Sequence, residues 1–164
     1  MTLDQLNQIS DTEFIASLGA IFEHSPWVAE NIVTERPFAS LGTLHAAMVN
    51  AVKNATLETQ LMLIRAHPDL GAKLRMSQQS VSEQAGLGLD RLSPNEFERF
   101  SSLNTAYREK FGFPFIIAVR NHTKASILEN FVIRLEHTAQ LEIKTALEQI
   151  ATIAKFRLQD LIAL

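Results

Sequence analysis

The sequence predicts an all-α protein, and three observations carry that prediction. Apolar residues recur at helical spacing along most of the 164-residue chain. Helix-start signals, a Ser, Thr or Asp followed by Glu three residues on, precede several of these runs. Alternating β-branched stretches are few, which disfavours a sheet. The expected architecture is a single-domain helical bundle of about eight or more helices, spanning residues 1–164. One short extended segment is expected near 113–119.

The elements follow in order. Ser10-Asp11-Thr12-Glu13 is a capping box, and Phe14, Leu18, Ile21 and Phe22 follow at helical spacing. Ser25-Pro26 starts a second helix, with proline at the first helical position, where its missing N–H costs nothing. That helix ends near Arg36-Pro37. A third covers Leu41 to Asn54, and a fourth runs from Thr56 to the stretch RAHPDLG at 65–71. Ser93-Pro94-Asn95-Glu96 combines a cap, a proline at N1 and a capping-box glutamate. The helix it opens stops at Gly112, a C-terminal glycine. FPFIIAV at 113–119 carries no charge and reads as a buried strand or an extended turn. Two last helices cover Lys124 to Glu136 and Ala139 to Leu161.

Composition narrows the function classes. The chain is 46% hydrophobic and 20% charged, as a folded globular protein is. A net charge of -3 gives no reason to expect nucleic acid or an acidic membrane as partner. The absence of cysteine excludes disulfides, thiolate metal sites and a thiol nucleophile. No run of roughly 18 apolar residues is present, so no membrane span is expected. The start MTLDQLNQIS lacks the features of a signal peptide, and IAL at the end is not a peroxisomal address. A cytoplasmic location is the resulting expectation. No HExxH, paired i,i+4 histidines, GxSxG, phosphate loop or dinucleotide fingerprint occurs, and no metal is expected. His24, His45, His122 and His137 stand at helix ends or within a helix and carry less signal.

Four stretches break the local structural logic, and function is sought there. Pro68 cannot continue a helix and keeps His67 out of helical geometry, so His67 has a fixed backbone at a helix exit. That suits a general acid or base; the alternative is a C-cap. In SVSEQAGLG at 80–88, Ser80, Glu83 and Gln84 share one face of a short helix. They offer a hydroxyl, a carboxylate and an amide to a ligand, or Ser80 and Glu83 form a capping box. In KFGFPFIIAVR at 110–120, Pro114 holds Phe113 extended, and backbone N–H groups beyond it are candidate ligand donors. The side chains read as core.

Arg157 is the fourth. It falls between Ala146 and Ile150 on the wheel of the last helix, whose apolar stripe is Ile143, Ala146, Leu147, Ile150, Ala154 and Leu161. A guanidinium on that arc needs a partner. The partner is an internal carboxylate, with Glu83 a candidate, or a ligand carboxylate. Otherwise the side chain snorkels at the rim.

Taken together, HPDLG (67–71), SEQAGLGLDRLS (82–93), FGFPFI (111–116) and FRLQDL (156–161), in this order, resemble the family of 2-oxo-4-hydroxy-4-carboxy-5-ureidoimidazoline (OHCU) decarboxylases. The resemblance includes EHSPWVAE (23–30) and spans essentially the whole chain, with no departure at the motif positions. It implies an all-helical homodimer with no cofactor. The implied activity follows urate oxidase and 5-hydroxyisourate hydrolase in purine catabolism and converts OHCU to (S)-allantoin with loss of CO2. Carried over by motif, the site residues are His67 and Glu83 as catalytic groups. Pro68, Ser80, Gln84, the backbone of Ile116 and Ile117, and Arg157 bind substrate. This reading requires those groups to converge around one dry cavity. Two competing readings stand beside it: a non-catalytic helical module that binds a ureide or purine metabolite, and a structural domain in which His67 caps and Arg157 pairs internally.

Overall fold

The computed structural model describes residues 1–70, 89 and 92–164. All regular structure among these residues is helical. The α-helices are α1 (Leu3–Gln8), α2 (Asp11–Leu18), α3 (Trp27–Ile32), α4 (Leu41–Lys53), α5 (Leu57–Ala66), α6 (Pro94–Phe111), α7 (Lys124–Leu135) and α8 (Ala139–Leu161). Short 3-10 turns at Val33–Glu35 and Val119–Asn121 complete them. The all-α expectation therefore holds. Among the described residues no helix is long and apolar enough to cross a membrane.

The caps read from the sequence form as reciprocal hydrogen bonds. Ser10 and Ser93 each accept from the backbone of the glutamate three residues on, and that glutamate accepts from the cap backbone. These bonds hold the Glu13 and Glu96 carboxyls below the usual range. Gly112 ends α6 at φ 74°, a left-handed conformation that glycine adopts without steric cost.

Three details differ from expectation. Leu3–Gln8 is a helix, capped by Thr2, that its polar sequence did not announce; Leu6 alone is fully buried in it. α2 stops at Leu18, so Ile21 and Phe22 are buried from the turn that follows. Pro26 is the N-cap of α3 instead of its first residue, a one-position shift at a frayed end.

Two compact units divide the chain. One comprises Met1–Ala66 with Ala151–Leu164; the other is His67–Ile150. In the first, α3 packs on α4, and Phe14 stacks on Phe38 at 6.3 Å. Asn7 binds both polar groups of the Phe38 peptide backbone, donating to its carbonyl and accepting from its N–H. In the second, α6 packs on α7 around an aromatic core. Phe115 stacks on Phe131 at 3.7 Å, and Tyr107 meets Phe113 and Phe115 edge-on.

Candidate functional site

His67 is the first residue after α5 and is 6% exposed. The helix stops where Pro68 requires it to, since the residue before proline is driven out of the α region. The turn beyond is tied to α6 at two points. Asp69 pairs with Arg108 at 3.1 Å, and the Leu70 carbonyl accepts from Asn104 Nδ2 at 2.5 Å. The imidazole thus stands on a backbone braced from both sides in sequence, as acid–base chemistry needs.

The segment after Gly112 is extended without belonging to a sheet, and Phe113, Phe115, Ile116, Ile117 and Ala118 are all buried. The core reading of its side chains is therefore correct. Its backbone is held from two sides. Arg134 Nη1 donates to the Ile116 carbonyl at 2.7 Å, and the Ala118 N–H donates to Gln149 Oε1 at 2.9 Å. Among the described residues, the Ile116 and Ile117 N–H groups have no acceptor. These are the donors that the sequence offered to a ligand.

Behind this segment lies a polar cluster that the sequence reading passed over. Glu142 is fully buried and accepts from three side chains: Tyr107 Oη at 2.5 Å, Arg134 Nε at 2.8 Å and His137 Nδ1 at 2.9 Å. The Arg134 guanidinium also lies 4.3 Å from the centre of the Phe115 ring. Burial, then the bond to Glu142, pushes the Tyr107 hydroxyl well above its usual pKa. His122, which shares a 2.9 Å hydrogen bond with Ser126, is held below the usual histidine range by burial and by the charge of Arg134.

Arg157 is 2% exposed, so it does not snorkel to the rim. Its partner among the described residues is Glu23, at 3.0 Å, itself 3% exposed. Arg157 Nη1 also lies 3.4 Å and 3.3 Å from the Ala20 and Ile21 carbonyls in the turn after α2. The turn is built to carry a buried carboxylate. Ser25 Oγ donates to the Glu23 carbonyl at 2.8 Å, and His24 takes φ 46°, a strained value for a residue with a Cβ. Glu23 was not singled out in the sequence. The available signal was an acid directly after the apolar pair Ile21-Phe22, within EHSPW.

Arg157 and Glu23 belong to one unit; His67, Pro68, Ile116 and Ile117 belong to the other. Ser80, Glu83 and Gln84 lie outside the described residues. Two open surface grooves of about 450 and 400 Å³ run along α4 and the Val33–Glu35 turn, and none of the predicted site residues lines them.

A family model described as OHCU decarboxylase matches residues 7–159. The chain belongs to the OHCU decarboxylase family. A relative in Haloferax volcanii, named 2-oxo-4-hydroxy-4-carboxy-5-ureidoimidazoline decarboxylase, is 45% identical over 160 residues, covering 98% of this chain and 95% of that protein. The uric acid degradation bifunctional protein of Bacillus subtilis is 48% identical over 98% of this chain. The crystal structure of an (S)-allantoin synthase superposes with a TM-score of 0.82 at 37% identity, over 99% of this chain. This chain spans 33% of the bifunctional protein and 54% of the allantoin synthase. The OHCU decarboxylase fold therefore occurs both nearly alone and as part of longer chains.

Proposed function

We propose that this chain is a carboxy-lyase that converts OHCU to (S)-allantoin and CO2 in urate degradation, without a cofactor. The observation that carries the reading is the 45% identity to a named OHCU decarboxylase across nearly the full length of both chains. The motif residues supply the chemistry. The C–C bond to the substrate carboxylate breaks, CO2 leaves, and the bonding electron pair stays on the ring carbon. An adjacent C=N takes up that pair by delocalisation. The hydroxyl gives up its proton and becomes the ring carbonyl, while a proton arrives on one face of the neighbouring ureido-bearing carbon and fixes its configuration. The protein need only position, polarise and deliver that proton.

His67 is assigned the proton of the hydroxyl beside the carboxylate, with Pro68 fixing its backbone. Glu83 hydrogen-bonds the same region. Ser80, Gln84 and the N–H groups at 116–117 read the ureido and ring amides. Arg157 anchors a ring or ureido carbonyl. Gripping the departing carboxylate would stabilise the ground state and slow the step. Glu23 offsets the arginine charge at 3.0 Å, which fits binding of a neutral carbonyl better than capture of a carboxylate.

We extend the reading to a cytoplasmic homodimer built on a single functional domain. The test of function is stereochemical, because free OHCU decays to racemic allantoin. The substrate is generated in situ from urate by urate oxidase and 5-hydroxyisourate hydrolase, and circular dichroism is followed. The expected result is a faster reaction that accumulates allantoin of one hand. Binding of allantoin without stereoselective turnover would favour the non-catalytic ureide-binding module instead.

A further inference from the structure

The peptide between Ile116 and Ile117 is fixed by a side chain to which the proposed chemistry assigns nothing. Its carbonyl, on Ile116, accepts from Arg134 Nη1 at 2.7 Å. Its N–H, on Ile117, points the opposite way in a trans peptide and has no acceptor among the described residues. Ile116 and Ile117 are 4% and 5% exposed. A buried N–H without an acceptor is rare in folded proteins and asks for a reason.

Arg134 is built to set this plane. Nε donates to Glu142 Oε1 at 2.8 Å while Nη1 donates to the peptide, so two bonds from a rigid planar group fix its orientation. Glu142 is held in turn by Tyr107 and His137. The next peptide is clamped separately through Ala118 N–H and Gln149. A charged donor on the carbonyl also polarises the same peptide, which strengthens its N–H as a donor.

We infer that Arg134, locked by Glu142 and Tyr107, is a positioning residue that presets and polarises the Ile117 N–H for a carbonyl oxygen of the substrate. The inference rests on the reading that this backbone binds substrate. It extends the working part of the protein to three side chains that need not touch the ligand. A purely architectural pair would hold the helices together and leave substrate affinity unaltered.

The test is Arg134→Lys, which keeps the charge but not the planar two-ended donor. The control is Ile127→Val, a fully buried change on the same helix. In the circular-dichroism assay, Arg134→Lys is expected to raise KM about tenfold, the loss of roughly one good hydrogen bond, with kcat little changed. Amide exchange at Ile117 should quicken, whereas Ile127→Val should leave KM as in the wild type. If Arg134→Lys does not fold, Tyr107→Phe reads the same effect at about two- to threefold in KM, through a loosened Glu142. Active wild type with unchanged KM and unchanged Ile117 exchange in the folded variant overturns the inference alone. Wild type without stereoselective turnover overturns the functional reading, and the inference with it.

Discussion

Arg134 and Arg157 are 3% and 2% exposed, and each meets a glutamate that is also buried. Their surroundings differ. The partner of Arg134 lies across the short connection between α7 and α8, in a hub where one carboxylate answers Arg134, Tyr107 and His137. The partner of Arg157 comes from the opposite end of the chain, on a turn whose carbonyls at Ala20 and Ile21 lie beside the same guanidinium. A buried ion pair costs desolvation on both sides and is weak evidence of stabilisation. The pairing itself therefore does not tell architecture from chemistry; the groups around each pair do. The first hub is wired to an extended segment that keeps buried N–H groups without acceptors among the described residues. The second sits at a turn held partly by a strained backbone at His24.

The comparison is easiest to break at Glu142. Glu142→Ala leaves Arg134 buried without its counter-charge and removes the acceptor of Tyr107. A loss of about 3–5 kcal/mol is expected, read as a lower urea midpoint. A loss under about 1 kcal/mol would mean that the hub does not hold this unit together. Arg157→Ala sharpens the other side. If its guanidinium only binds, KM rises about tenfold per folded molecule while kcat stays. Equal losses in kcat and kcat/KM would move Arg157 into the transition state.

A smaller effect is expected from Tyr107→Phe. It removes one hydrogen bond, about 1 kcal/mol at neutral pH. It also alters the alkaline limb. The folded state holds the Tyr107 proton more tightly than the unfolded chain does. Its contribution is therefore complete below the unfolded tyrosine pKa of about 10, and is lost as pH rises beyond it. Urea midpoints between pH 9 and 11 should fall more steeply for the wild type than for Tyr107→Phe.

Much of the fold was legible because its signals are local. The capping boxes at Ser10 and Ser93, Gly112 and Pro68 each act within four residues, and each does in the structure what its chemistry dictates. Arg157 was legible for a similar reason: a charge on an apolar stripe violates the period of its own helix. The same sign marks Arg134, in line with Ile127 and Phe131 on α7. It marks Glu142 too, one helical turn before Ala146 and two before Ile150. A stripe read from Ile143 begins one residue late, because Ile143 is only half-buried and the adjacent acid holds the buried position. Glu23 was out of reach for a different reason. Its pairing spans almost the whole chain, and no periodicity links a turn to a distant helix. Breaks in local logic singled out His67, Ser80, Glu83 and Gln84, but their proposed roles come from motif likeness alone, since each has a local structural reading that periodicity cannot dismiss.

In this account the two arginines bind and brace, and the proton work falls to the imidazole at the end of α5. The most direct test is His67→Asn in the urate-coupled circular-dichroism assay, beside a thermal melt. The account predicts kcat reduced by roughly a hundredfold or more at an essentially unchanged Tm, with allantoin reverting towards the racemic mixture. A folded His67→Asn protein with near-normal kcat and product of one hand would contradict it.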